Sequence, residues 1–438
     1  MSKDYGVSER EIEIVEFDPF MKDLDNLIHN YKKWFNQNLD SAVTDGPIGD
    51  GNEGSKIYNL PIGTVLIFGT KASEFSSLMK PLIHSVAAGN YTILAPEQST
   101  TTTLKFLIHI IEKSMNPERV FVMHSPLKTE DLEKALQNHK VAMIFDSRSE
   151  EITSQIAPIA SRQRIRFCAN SQGLNIAIVD EHANIPQAAK MIAEQKFYKA
   201  GQSTNNIDML YVDEAAYPRF IEEFKNAIYY EHSNLGPTKY QYGSVIGEDI
   251  FNGIQKMIQD PSHKGTLETS YLIDQEKLIM GPMIIKNPVK ESKLLHQKHN
   301  SPVLPVVTFS NLHDTLADIS QKDNVNTLYF FSNSPKLCED LQSVVPCKQL
   351  YYNCTGLYSQ SNLVPDFGRM NSQEGTVRGI FGFHTFTRPK LFTVGNQVHF
   401  TLLPNKLKNL PSRALNKISK RRVFPYVALA GFAIAYLI

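Results

Sequence analysis

Net charge is the first thing the sequence lacks: 45 lysines and arginines stand against 45 aspartates and glutamates in 438 residues. Without a basic surplus there is no general attraction to a polyanion, so nucleic acid is not expected as a partner. Cysteine is scarce as well. Cys168, Cys338, Cys347 and Cys354 are scattered without Cys-x-x-Cys spacing, which points to free thiols in a reducing compartment. The N-terminus "MSKDYGVSEREIEIVEFDPF" has no apolar signal core. The triplets Asn90-Tyr91-Thr92 and Asn353-Cys354-Thr355 are therefore read as unused glycosylation patterns. Internal repeats and low-complexity tracts are also missing, which excludes solenoids and propellers.

Charge is missing locally at the end of the chain. The last sixteen residues, "VFPYVALAGFAIAYLI" (423–438), carry none, and they follow "SRALNKISKRR" with Arg413, Lys417, Lys420, Arg421 and Arg422. This run falls just short of the roughly 17 to 25 residues that span a bilayer, and the adjacent arginines can snorkel to extend it. A helix docked on the core would keep a polar face, and this one has none. The expectation is a single-pass C-terminal transmembrane anchor behind a basic flank (413–422), with the folded body facing the cytosol. Endoplasmic reticulum, mitochondrial outer membrane, peroxisome and lipid droplet remain open as destinations.

What is present reads as a globular α/β protein, at 42% hydrophobic residues. Residues 8–40 show helical spacing through Phe20, Met21, Leu24, Leu27 and Ile28, and 45–54, "DGPIGDGNEG", reads as an acidic connector whose spacing fits no calcium loop. From residue 56, apolar strands such as "TVLIFGT", "YTILAP" and "VAMIFDS" alternate with helices, which predicts a parallel sheet covered on both faces. "LNIAIVD", "NIDMLYVD", "SPVLPVVTFSN" and "TLYFFSNS" predict a second such unit, and "FGFHTFTRPKLFTVG" alternates as a late edge strand. The expected organisation is N-terminal helices and loop (1–55), a Rossmann-like domain (56–173), a second α/β domain (174–382), a dimerisation strand and connector (383–412), and the basic flank and anchor.

Chemistry is sparse. Cys168 in "RFCANS" reads as a buried strand residue, and Cys354 has no His or Lys neighbour in sequence to activate it. His296 and His299 have ligand-like spacing but no third partner, so no metal is expected. Lys199 could form a Schiff base only if desolvated. Residues 197–213, "FYKAGQSTNNIDMLYVD", form a helix end, a Gly-Gln turn and a strand, and the turn Gly201-Gln202-Ser203-Thr204 holds no group that is nucleophilic at neutral pH.

Six blocks in order, "LPIGTVLIFGT", "PLIHSVAAGNYTILAPEQ", "GLNIAIVDEHANIPQAA", "FYKAGQST", "SPVLPVVTFSNLHDTL" and "DFGRMNSQEGTVRGIFGFHTFTRPK", resemble the aldehyde dehydrogenase superfamily over about residues 56–390. The short N-terminus and apolar tail resemble its class 3, fatty aldehyde branch. The resemblance implies two doubly wound α/β domains, a dimerisation β-segment, dimers, and oxidation of aldehydes by a Gly-Gln-x-Cys thiolate with NAD or NADP. It also places Thr204 where that cysteine stands, Asn170 at the general-base Glu, and Ala72 at the oxyanion-hole Asn. A hydroxyl without a carboxylate to deprotonate it is a poor nucleophile, and a methyl donates no hydrogen bond.

At the cofactor positions the resemblance puts Ala95 for the ribose-binding Lys, Lys298 for the nicotinamide-ribose Glu, and "FDSRSEEI" for a stretch of small residues. Asp146, Ser147, Arg148, Glu150 and Glu151 there would crowd and repel a pyrophosphate. Matching glycines and prolines, among them Gly63, Gly69, Pro81, Gly201 and Pro302, serve turns and packing. The expectation is a membrane-anchored homologue without catalysis or cofactor, working as a homodimer or as a heterodimer with an active relative. The alternatives are an NAD(P)-dependent fatty aldehyde dehydrogenase with a diverged site, and a lipid or aldehyde binder using the old tunnel.

Overall fold

The computed structural model describes residues 1–35, 54–97, 101–124, 127, 129–170, 173–203, 205–232, 242–260, 265–269, 273–322, 325–356 and 376–394. Its strands are β1 (Gly54–Pro61), β2 (Thr64–Phe68), β3 (Tyr91–Ala95), β4 (Val120–Val122), β5 (Met143–Asp146), β6 (Arg166–Ala169), β7 (Leu174–Val179), β8 (Met209–Asp213), β9 (Thr266–Thr269), β10 (Ile273–Asp274), β11 (Ile279–Met280), β12 (Met283–Lys286), β13 (Val303–Phe309), β14 (Val325–Phe331), β15 (Gln349–Tyr352) and β16 (Thr387–Val394). Two compact units divide the chain. One is Met1–Gln37 with Asn59–Lys390, which contains both large sheets; the other is Asn38–Tyr58 with Leu391–Ile438. Of the second unit, the described residues are the outer parts of β1 and β16, which pair as a two-stranded sheet.

The first sheet is parallel throughout, in the order β4-β3-β2-β5-β6. Because side chains alternate across a strand, its apolar strands supply two cores at once. Val65, Ile67, Leu94, Met143 and Phe145 meet the helices Glu74–Ala87 and Thr102–Ser114 on one face. Leu66, Phe68, Ala95 and Ile144 meet Leu132, Leu136, Ile156 and Ile159 on the other. Each such fully buried aliphatic side chain stabilises the fold by about 1.5–3 kcal/mol. Chain order runs outward from β2 in one direction and from β5 in the other, so the topological switch point lies between these two strands.

The second sheet runs β15-β14-β7-β8-β13-β12-β9, parallel except for β9, which pairs antiparallel with β12. The helix Ile185–Phe197 starts at Asn184, whose side chain caps it, with a proline in its first turn. It packs through Ala188, Ala189 and Ile192 in one cluster with Phe220 and Phe224 of the helix Tyr217–His232. Strands β9 to β12 and the helix Glu248–Gln259 fill a stretch for which the apolar patterning gave no assignment.

At 381–385 the structure differs from the expected strand: these residues belong to the helix Gly379–Thr385, and β16 begins at Thr387. Phe383 packs on Trp34 and Phe35, and Phe386, just past the helix end, packs on Phe145. These contacts repeat at three residues, the spacing of a helix face rather than of a strand. Gly382 allows the helix to close on His84, since a Cβ there would lie 2.7 Å from the imidazole. The His84 ring in turn bonds Asp23 at 3.1 Å and the Val377 carbonyl at 3.0 Å, joining the helix Asp18–Phe35 to both neighbours. Among the described residues no helix is long and apolar enough to cross a membrane; residues 423–438 lie outside them.

Candidate functional site

The Gly-Gln turn is built from unusual backbone. After the helix ends at Phe197, Lys199 and Ala200 take φ of 50° and 52°, and Gly201 follows at 75°. Left-handed residues with a Cβ cost about 1–2 kcal/mol each, so the surroundings must hold them. Gln202 does part of this: its amide donates to the carbonyls of Lys199 (2.8 Å) and Ser244 (2.9 Å), and its oxygen accepts from the Ile246 amide (2.9 Å). Asn206 donates to the Gly201 carbonyl at 2.7 Å. A Cβ on Gly201 would overlap the carbonyl of Ser301, so only glycine fits.

Lys199 is pinned as well. Its Nζ lies 2.5 Å from Glu16 Oε1 and 4.4 Å over the Tyr5 ring, with both charged groups buried. Burial opposes the charge on Glu16, but Lys199 and the donating Ser76 hydroxyl hold its carboxyl below the usual carboxylate range. An ammonium committed in this way is no Schiff-base amine. Thr204 lies outside the described residues. Its neighbours Ser203 and Asn205 line a cleft of about 220 Å³ with Ile14, Val15, Lys22 and Arg378.

The expected cofactor positions come together elsewhere, at the carboxyl ends of the first sheet. Ser147, Glu150 and Lys298 line one cleft of about 600 Å³ with Thr70, Arg148 and Glu151. Asn170, just past β6, donates its amide toward the Ser147 hydroxyl at 3.5 Å. Ala95 ends β3, buried beside Phe68 of β2. Ala72 sits in the 3-10 turn Lys71–Ser73 that follows β2.

One reading of a single residue needs correction, and the partners of three others are now defined. Asp146 does not present a free carboxylate to the cleft: Arg148 binds it through Nη2 (2.6 Å), Nε (2.9 Å) and its backbone amide (3.0 Å). Lys298, at the position the resemblance gives to the nicotinamide-ribose Glu, bonds Asp208 Oδ2 through its Nζ at 3.1 Å and the Gly173 carbonyl at 3.3 Å. His296 and His299 are not a ligand pair: one bonds the Lys290 carbonyl and the other the Ser301 hydroxyl. Among the described residues, no group of three His, Cys, Asp or Glu side chains converges as a metal site. Cys168 is buried in the core of the first sheet. Burial pushes the Cys354 thiol above its ordinary pKa, leaving it a weak nucleophile.

Two participants were missed by the patterning. Asp208 is a fully buried carboxylate that accepts from the Asn175 backbone N–H at 2.8 Å, and its only sequence signal is one charge inside the apolar run "NIDMLYV". Lys196 is fully buried with its Nζ on the Ile207 carbonyl at 2.8 Å. Burial pulls its pKa down to about 7, with Asp208 opposing the shift and Lys298 adding to it.

Residues 20–392 match the aldehyde dehydrogenase family. The putative aldehyde dehydrogenase AldX of Bacillus subtilis is 23% identical over 396 residues, covering 89% of this chain and 86% of that protein. The dimeric NADP-preferring aldehyde dehydrogenase of Rattus norvegicus is 22% identical over 394 residues, covering 88% and 83%. Aldehyde dehydrogenase family 3 member F1 of Arabidopsis thaliana is 23% identical over 348 residues, covering 78% and 71%. The substrate-bound structure of Staphylococcus aureus AldH superposes with a TM-score of 0.82 at 22% identity, over 96% of this chain and 90% of that one, a likeness of fold.

Proposed function

The chain belongs to the aldehyde dehydrogenase family, on its class 3-like side, and from that premise we propose that it no longer oxidises aldehydes and serves as an assembly or regulatory partner at a membrane. One observation carries this reading. The group at the general-base position is the Asn170 amide, which donates toward Ser147 and has no carboxylate to take a proton. Thr204, at the position of the nucleophile, is a hydroxyl that needs such a base. The parts that match the family turn, Gly201 and Gln202, hold a backbone in place with help from Asn206, which is what a protein working through its surfaces would keep.

The cofactor positions fit a dinucleotide poorly. Glu150 and Glu151 occupy the first turn of the helix Glu150–Arg162, satisfying its positive end with carboxylates where a phosphate would otherwise bind. Residues 423–438 anchor the protein with its body toward the cytosol, and the organelle is left open. The partner is a second copy or an active relative; the rat relative is named as dimeric.

The names of the relatives, aldehyde dehydrogenases of which one is NADP-preferring, favour a second reading, an NAD(P)-dependent aldehyde dehydrogenase with a diverged site, for which a fatty aldehyde is the substrate to try. One assay separates the two. Protein lacking residues 413–438 is given a long-chain aldehyde with NAD or NADP, and reduced cofactor is followed by absorbance. No formation above background is expected, and the Thr204→Cys/Asn170→Glu variant is expected to stay inactive too. Turnover by the unaltered protein would reject the non-catalytic reading.

A further inference from the structure

Between β2 and β5, where the chain order of the first sheet reverses, an open α/β sheet leaves a crevice beyond its strand ends, the usual seat of a nucleotide. The two strands end in register, Phe68 opposite Asp146. Arg148 folds back over this point. Its guanidinium lies 3.7 Å from the centre of the Phe68 ring and binds Asp146 through two nitrogens. Both charged residues are buried, Asp146 completely and Arg148 to 8% exposure.

A guanidinium so placed has spent its charge on a carboxylate and one face on an aromatic ring. What it offers an incoming phosphate is bulk more than attraction. The backbone around it is tied down too: the Ser147 amide donates to the Phe68 carbonyl at 3.1 Å, and the Gly69 amide to the Ala95 carbonyl at 3.2 Å. Lys298, across the cleft, is turned to Asp208.

We propose that Arg148, locked between Asp146 and Phe68, is a built-in stopper that closes the switch-point crevice to dinucleotides. The inference rests on the non-catalytic reading and supplies its physical cause on the cofactor side. The stopper acts by occupancy, and Glu150 and Glu151 add repulsion at the rim.

The test is a titration with NADH alone, read by its fluorescence, with cooperative thermal melting to establish folding. Unaltered protein is expected to give no saturable signal. Asp146→Ser/Arg148→Ser removes both charges together, so that neither is left buried and alone. In the background Glu150→Ser/Glu151→Ser it should bind NADH at least about tenfold more tightly than that background by itself. Asp146→Asn/Arg148→Leu, which keeps bulk without charge, should stay closed.

Equal affinity of the opened variant and its background would overturn the stopper, as would saturable NADH binding by the unaltered protein or by Asp146→Asn/Arg148→Leu. Should the four-site variant fail to melt cooperatively, Asp146→Ser/Arg148→Ser against unaltered protein decides by the same titration. NADH binding by the unaltered protein without turnover sinks the stopper alone; turnover by the unaltered protein sinks the non-catalytic reading beneath it.

Discussion

The turn at 198–206 and the strand-end crevice at 146–151 are built in opposite ways. At the turn the backbone is held by side chains, Gln202, Asn206 and the Lys199–Glu16 pair, and the proposed reading puts the change in the single group that would react, Thr204. At the crevice the sheet is regular and the lining carries large charged residues, Arg148, Glu150 and Glu151. A fold tolerates such a lining because strand ends open to a cleft. It cannot tolerate the loss of the turn's supports, because left-handed backbone persists only where its surroundings over-determine it.

The sharpest way to break this comparison is at Gly201. Gly201→Ala sets a Cβ against the Ser301 carbonyl at a φ of 75°. It should cost at least about 3 kcal/mol, enough to leave little folded protein, as read by denaturant unfolding. A mild effect would mean the turn is soft, and its contrast with the crevice would disappear.

Next in size is the buried pair. Lys199→Met strands the Glu16 carboxylate and should destabilise by about 3–5 kcal/mol, whereas Glu16→Leu/Lys199→Met should recover most of that. Asp146→Asn/Arg148→Leu at the crevice is expected to be similarly mild. If the double change at the turn stays as damaging as the single one, the pair positions the turn specifically and the two regions differ more than their charges indicate.

How much of this was legible follows from the range of each interaction. The parallel parts of both sheets could be read because most of their strands are largely apolar runs, a local property, whereas β9 to β12 gave no such signal. Thr204, Asn170 and Ala72 were read as substitutions from the resemblance of ordered motifs, and Thr204 lies outside the described residues. Lys199–Glu16 joins residues 183 apart, and Lys298–Asp208 joins residues 90 apart, so neither pairing has a local signature. Arg148–Asp146 is only two residues apart and was still misread, because "FDSR" does not show whether its charges face each other or the cleft. The helix Gly379–Thr385 was missed because alternation and a three-residue repeat cannot be told apart over so short a run.

The smallest expected effect concerns a charge that departs from the pattern of buried pairs. Lys196 is fully buried, yet its ammonium bonds a carbonyl rather than a carboxylate, and burial brings its pKa to about 7. In the unfolded chain the same group titrates near 10.5. Between these values the unfolded state holds a proton that the folded state has released. The contribution of Lys196 to stability therefore rises with pH across that window and is least favourable below it. The slope from this one group cannot exceed about 1.4 kcal/mol per pH unit. Lys196→Met removes the titration, so the difference in unfolding free energy between pH 7 and pH 9 should shrink in the variant, measured in urea at fixed ionic strength. An unchanged slope would mean that Asp208 keeps Lys196 charged, making it a third member of the Lys298–Asp208 pair and bringing this side of the molecule under the same rule as the crevice.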